Sequence, residues 1–266
     1  MLKDITIGQY VPGDSAVHRL DPRTKILITL FYIILLFLIK NFVGYFILAL
    51  FILIPMLISK IPIKYMIKGI RPLLIIIIIT VIFNIFLTKG EVIYEVGPLN
   101  ITREGVRLAV FMALRLIFLV TGTSLLTLTT SPISLTDGIE NLLNPFKRIG
   151  VPAHELAMMM TIALRFIPTL LDETEKIMKA QMARGADFES GNIVKRAKNL
   201  VPLLVPLFIS AFRRADELAM AMEARCYRGG KDRTRLKQLK MTILDCFAFC
   251  FLLITVGFVV LTRFMY

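Results

Sequence analysis

Apolar residues in this chain come in long blocks: residues 26–39, 42–58, 72–87 with the run IIIIIT, 105–130 and 241–262. A helix needs roughly 20 apolar residues to cross a bilayer core, so the pattern predicts about five transmembrane helices. The first two blocks are separated by Lys40 and Asn41. They allow two short helices with a tight turn, or one helix of about thirty residues. Lysine and arginine decide between them. Arg19, Arg23 and Lys25 precede the pair, and Lys60, Lys64, Lys68 and Arg71 follow it. Two helices place both clusters on the cytoplasmic side; one helix would split them. Two helices are therefore expected, short enough to require tilt or local thinning. Pro72 can open the third span, because the first turn has no intrahelical use for its N–H. Residues 90–102 hold Val92, Ile93, Tyr94 and Val96 ahead of Gly97-Pro98, the signature of a small external hairpin. Counted from a cytoplasmic N-terminus, five spans leave the C-terminus external.

Residues 131–240 fit neither span nor loop. SPISLTDGIENLLNPF presents Ile139, Leu142, Leu143 and Phe146 at helical spacing and ends near Pro145. Residues 151–185 begin apolar and become amphipathic: Ile167, Leu171, Met178 and Met182 form a stripe, while Asp172, Glu173, Lys176 and Lys179 are charged. Pro168 is expected to kink or break this helix. Residues 201–230 repeat the design, with Phe208, Phe212, Ala215, Ala219 and Met222 along one side and Arg213, Asp216, Glu217 and Glu223 elsewhere. The two stretches form an internal repeat offset by 41 residues (183 to 224), and each ends A-x-x-A-R. Such helices lie along a membrane surface or against a partner. The fold class is therefore an all-α integral membrane protein, with a cytoplasmic or interfacial helical domain built on two long amphipathic helices. Its expected divisions are 1–130, 131–240 and 241–266.

Composition supports the membrane reading and narrows the chemistry. The chain is 56% hydrophobic with mean hydropathy +0.74 and carries a net charge of +13. The basic residues flank apolar spans, which points to cytoplasmic loops facing anionic lipid and away from nucleic acid. The first twenty-five residues are polar and include Asp4, Asp14 and Asp21, unlike a cleavable signal peptide. Cys226, Cys246 and Cys250 have no metal-binding spacing. His18 and His154 make no HExxH motif, so no metal site or intramembrane hydrolase is expected. No GxxxxGK[ST] is present, and Gly229-Gly230-Lys231-Asp232 is not one. The chain is thus expected to bind no ATP and to catalyse nothing. Within the spans the polar residues are Asn84, Arg115 and the interfacial Asp245. Arg115 serves either as an interface anchor or as a structural arginine bonded to carbonyls. A secondary transporter or channel with its own substrate path is the alternative reading, but it needs more polar groups converging at midplane.

The helix ends carry the most specific signal. In AQMARG an arginine near a helix C-terminus is favoured by the macrodipole, and the following glycine permits a left-handed stop. AMEARC repeats the phrase at 221–226. Alanines clear space around each guanidinium, which also suits insertion into a pocket of carboxylates or carbonyls. Seven of the 13 methionines (Met158, Met159, Met160, Met178, Met182, Met220 and Met222) fall in residues 131–240. Methionine is a core filler, but it is also adaptable where a surface must accept several partners.

HRLDPRTKI at 18–26, LTLTTSPISLTDGIENLL at 126–143, LRFIPTLLDETEKIMKAQMARGADF at 164–188 and RRADELAMAMEARCYRGG at 213–230 together resemble the transmembrane T component, EcfT or CbiQ-like, of energy-coupling factor transporters. The resemblance implies a scaffold in the bacterial plasma (inner) membrane for ABC-type import of a vitamin or metal. It implies two ABC ATPases, EcfA- and EcfA′-like, which bind the ATP, and one small substrate-binding membrane subunit, the S component. Ala183-Arg184-Gly185 and Ala224-Arg225-Cys226 are then the ATPase-docking tips. Met158, Met159, Met178, Met182, Met220 and Met222 are expected against the S component. Cys226 departs from the commoner glycine, so the second helix is expected to end slightly later.

Overall fold

The computed structural model describes residues 10–39, 41–96, 99–188, 192–229 and 239–265. Lys40, the Gly97-Pro98 turn and residues 230–232 lie outside them. The elements are α1 (Ala16–Arg19), α2 (Pro22–Leu38), α3 (Phe42–Ser59), α4 (Ile63–Ile70), α5 (Leu74–Leu87), strands β1 (Val92–Val96) and β2 (Leu99–Thr102), α6 (Arg103–Thr129), α7 (Pro132–Leu143), α8 (Ala153–Ala183), α9 (Ile193–Ala224) and α10 (Ile243–Met265). The chain is an all-α membrane protein. It divides into two compact units, one of Gly8–Leu142 with Gln238–Tyr266, the other containing Leu143–Lys237.

Among the described residues, five helical stretches are long and apolar enough to cross a membrane: Phe42–Ser59, Ile63–Leu87, Arg103–Thr129, Ala153–Ala183 and Ile243–Thr262. The most apolar 18-residue stretch of Ala153–Ala183 has a mean hydropathy of 1.2, against 2.0 to 2.6 for the others, because even its first half carries His154, Glu155 and Arg165. α2 has 17 residues and rises roughly 25 Å, at the short end for a span. The α2–α3 break makes 22–59 two helices. The third span begins earlier than Pro72: α4 is already helical at Ile63, and Pro72 sits in a 3₁₀ turn, Arg71–Leu73, between α4 and α5. A proline near the start of that turn costs no needed N–H. α4 buries Met66 and exposes Ile63 and Ile67, with Lys64 and Lys68 on a separate stripe. β1 and β2 pair antiparallel, with a bulge between Val92 and Tyr94.

The core of the first unit is aromatic. Tyr32, Leu36, Tyr45, Leu48, Phe51, Phe111 and Leu252 are buried in one cluster. Rings stack at 5.9 Å for Tyr32–Phe51, 5.5 Å for Tyr45–Phe111 and 5.0 Å for Phe51–Phe251. Burying tyrosine requires a partner for its hydroxyl, and Tyr32 donates to the Phe118 carbonyl at 2.8 Å. A Cβ on Gly122 would lie 2.4 Å from the Tyr32 ring, so glycine admits the aromatic layer. Thr102 caps α6: its hydroxyl accepts from the Gly105 N–H at 3.1 Å and donates to Thr88 O at 2.8 Å.

In the second unit α8 and α9 pack as an antiparallel pair. Of the kink or break expected at Pro168, a break does not occur: α8 is one helix of 31 residues with Pro168 inside, and α9 one of 32 residues with Pro202 and Pro206 inside. A helix-interior proline frees a carbonyl, but in apolar surroundings breaking the helix would strand more backbone groups than the proline does.

Candidate functional site

Both arginine tips are built by the same local device. In α8 the Gly185 N–H donates to Met182 O at 2.9 Å and the Ala186 N–H to Gln181 O at 3.0 Å. Gly185 takes φ +88°. This is a Schellman stop, which satisfies the last carbonyls by turning one residue left-handed. In α9 the Cys226 N–H donates to Glu223 O at 2.8 Å and the Tyr227 N–H to Met222 O at 3.0 Å. The second helix therefore does not end later: it stops after Ala224 at the repeat-equivalent position, and Cys226 adopts φ +55°. The two hydrogen bonds hold a residue with a side chain where glycine is normal. In both tips alanine, arginine and the next residue are exposed, so each guanidinium projects from a fixed helix end.

The antiparallel register follows from side-chain contacts. Arg214 Nη2 meets Glu173 Oε2 at 2.9 Å, and Ser210 Oγ donates to Glu173 Oε1. Gln181 Nε2 donates to Pro202 O at 3.4 Å. His154, at the start of α8, bonds the Tyr227 hydroxyl at 3.1 Å. Each step forward on α8 is thus a step back on α9, and the tips sit at opposite ends of the pair. Gln181 is level with Pro202, which puts Arg184 near the level of residue 199. Arg225 lies 26 positions (225 − 199) further along α9, roughly 40 Å at 1.5 Å per residue. Glu173 and Arg214 are also 41 apart, so the repeat meets itself at equivalent positions.

The same offset governs the outer surface. Val201, Leu204, Val205, Phe208, Ile209 and Phe212 are exposed at one helical stripe of α9, and Met160, Ala163 and Ile167 are exposed on α8 at positions 41 earlier than Val201, Leu204 and Phe208. The expected single side of α9 divides along its length: Phe208 and Phe212 face outward, whereas Ala215, Ala219 and Met222 line a cleft of about 300 Å³ with Phe166 and Leu170. The methionines divide too. Met159, Met182 and Met220 are exposed. Met158, Met178 and Met222 are half-buried, Met158 sulfur accepting from the Tyr227 hydroxyl at 3.0 Å. The structure brings no single methionine face together. The mostly apolar first halves of the two helices carry a run of exposed apolar side chains, and their apolar character was the sequence signal for it.

Within the first unit Arg115 donates to Ile39 O at 3.5 Å, at the C-terminal end of α2, and its guanidinium lies 5.3 Å from the Phe37 ring centroid. Asn84 donates to Thr80 O one turn back at 2.7 Å. Both satisfy backbone carbonyls, as polar groups in an apolar setting must.

These features define a class: a helical membrane protein carrying a paired-helix unit with two exposed arginine ends. Residues 13–236 match the family model for CbiQ, cobalt transport protein. Among curated relatives, proteins called energy-coupling factor transporter transmembrane protein EcfT are 68% identical in Thermosediminibacter oceani (93% of this chain, 94% of the relative), 63% in Clostridium kluyveri (99% and 98%) and 49% in Bacillus subtilis (92% and 93%). The chain belongs to this family, the transmembrane components of energy-coupling factor transporters.

Proposed function

We propose that the chain is the scaffold and energy-coupling subunit of its transporter, passing ATP-driven movement of two ABC ATPases to a substrate-binding S component. Arg184 and Arg225 dock into a groove on one ATPase each, ATP stays on the ATPases, and this chain performs no catalysis. The N-terminus is cytoplasmic and the C-terminus external in the bacterial plasma membrane, with α8 and α9 at the inner surface. The supporting observation is the pair of Schellman-stopped, exposed arginine tips at opposite ends of an antiparallel repeat. A preorganised helix end presents a planar five-donor group with little entropy left to lose on docking. The S component lies on the exposed apolar halves of α8 and α9, with Met159 and Met220 at its margin.

The test is Arg184→Ala with Arg225→Ala in the full complex. Truncating a central interfacial arginine costs roughly 2–4 kcal/mol, so two should lower ATPase retention at least tens of fold while leaving membrane insertion intact. Arg→Lys at either tip should also fail, for want of the planar fork. Copurification of both ATPases with the double variant, together with normal ATP-dependent uptake, would refute the docking assignment.

A further inference from the structure

The chain leaves the first unit after Leu142 and returns at Gln238. The segments on both sides of that excursion are fastened, within the first unit, to HRLDPRTKI at 18–26. Lys25 Nζ donates to Thr129 O at 2.9 Å, to the Thr130 hydroxyl at 3.1 Å and to His18 O at 3.3 Å. All three ammonium donors are used, two of them on the C-terminal end of α6. On α7, a Cβ at Gly138 would lie 3.0 Å from Pro22 and 3.1 Å from Ile26, so this helix packs directly on the opening turn of α2. On the returning side Arg23 Nη2 donates to Leu239 O at 3.2 Å. Asp245 splices the two helix starts. Its Oδ2 accepts from the Thr242 N–H at 2.7 Å and hydroxyl at 2.9 Å, closing the first turn of α10, and its Oδ1 accepts the Asp21 N–H at 2.9 Å. Asp21 in turn caps α2 by accepting from the Arg23 N–H at 2.9 Å. Asp21, Lys25 and Asp245 are 4%, 6% and 2% exposed. Asp245, at the start of α10, is therefore buried and bonded.

We infer that this cluster is the anchor of the coupling unit: Lys25 and Asp245, with Asp21 and Arg23, are positioning residues that keep both chain connections from yielding when the arms are loaded. The inference rests on the coupling role proposed above. An arm passes on displacement only if its base is stiff. Apolar contacts between helices tolerate sliding, and between membrane helices they have no hydrophobic drive behind them. Directional bonds from two carboxylates, an ammonium and a guanidinium to backbone groups and hydroxyls specify one arrangement, and losing one leaves further buried groups unpaired. Because the bonds reach 104 and 224 residues along the chain, one motif ties departure and return to the same point.

The experiment uses the whole complex, with its ATPases and copurifying S component, reconstituted in liposomes. ATP hydrolysis and uptake of radiolabelled cobalt(II), or of a radiolabelled vitamin matching that S component, are measured on the same vesicles. Lys25→Met and Asp245→Asn should retain both ATPases and hydrolyse ATP, yet lower the ratio of uptake to hydrolysis roughly tenfold, within the range of residues that carry coupling. Arg23→Gln, which removes one bond from a side chain 24% exposed, should lower it roughly twofold. A purely structural role would lower both activities in parallel. A wild-type ratio in these variants overturns the anchor. Should the first two fail to assemble, Arg23→Gln and Thr130→Val decide by the same ratio. Arg184→Ala with Arg225→Ala runs beside them. If it loses the ATPases while the anchor variants keep a normal ratio, the anchor alone is wrong; if it transports normally, the docking role falls and the anchor with it.

Discussion

The two tips supply an internal control, because one stop carries glycine at φ +88° and the other cysteine at φ +55°. Replacing Cys226 by glycine should tighten the second tip. A left-handed conformation costs an L-residue roughly 1–2 kcal/mol. Glycine's greater freedom in the frayed state returns roughly 0.5–1 kcal/mol. The remainder, roughly 0.5–1 kcal/mol, corresponds to a two- to fivefold smaller opening constant for the last turn. The amide to watch is Tyr227, whose N–H closes the Schellman turn on Met222 O at 3.0 Å. Hydrogen exchange of that amide in the purified chain should slow two- to fivefold in Cys226→Gly. Gly185→Ala should speed exchange at Ala186 by a similar factor, since its bond to Gln181 O is the equivalent one. The reasoning is refuted if Tyr227 exchanges at the same rate with cysteine and glycine while Gly185→Ala also leaves Ala186 unchanged.

Gly122→Ala should destabilise the first unit by about 1–3 kcal/mol. Its Cβ would sit 2.4 Å from a Tyr32 ring that is buried and tethered to Phe118 O; a thermal unfolding midpoint in detergent matching the parent would contradict this. A photocrosslinking side chain at Met159 or Phe208, both exposed on the apolar halves, should capture the S component in the assembled complex, and adducts with lipid alone would count against that surface.

Four of the five expected spans and the division of 22–59 into two helices were legible in the sequence, because hydropathy marks the spans and lysine and arginine placement adds topological information; α2, with 17 residues, falls short of the span length, and Ala153–Ala183 reaches it instead. The tips were legible as well: A-x-x-A-R followed by glycine contains every element of a Schellman stop. Cys226 was misread because side-chain identity argues against a left-handed residue, whereas two backbone hydrogen bonds decide the geometry. α9 was read as starting at Val201, but it begins at Ile193; IVKRAKNL has no clean apolar period, and helicity there follows from continuity with the packed helix. Pro168 was read by its local rule, which does not weigh what a break would expose. The partner of Asp245 was beyond sequence reasoning, since it lies 224 residues away.

The crossing of the repeat adds a mechanical consequence. Arg184 is 11 residues beyond Glu173 (184 − 173), and Arg225 is 11 beyond Arg214 (225 − 214). Each tip therefore stands roughly 16 Å of helix from its own member of the same ion pair. Exact symmetry would have placed identical residues at that point, and two like charges there would repel. The repeat instead carries Asp172-Glu173 in one copy and Arg213-Arg214 in the other. The pair is only partly shielded, with side chains 24% and 34% exposed, so its worth is modest, about 1 kcal/mol or less. Its value lies in register: the opposite charges favour this one alignment over a slip by a helical turn, which would change the separation of the two tips by roughly 5 Å.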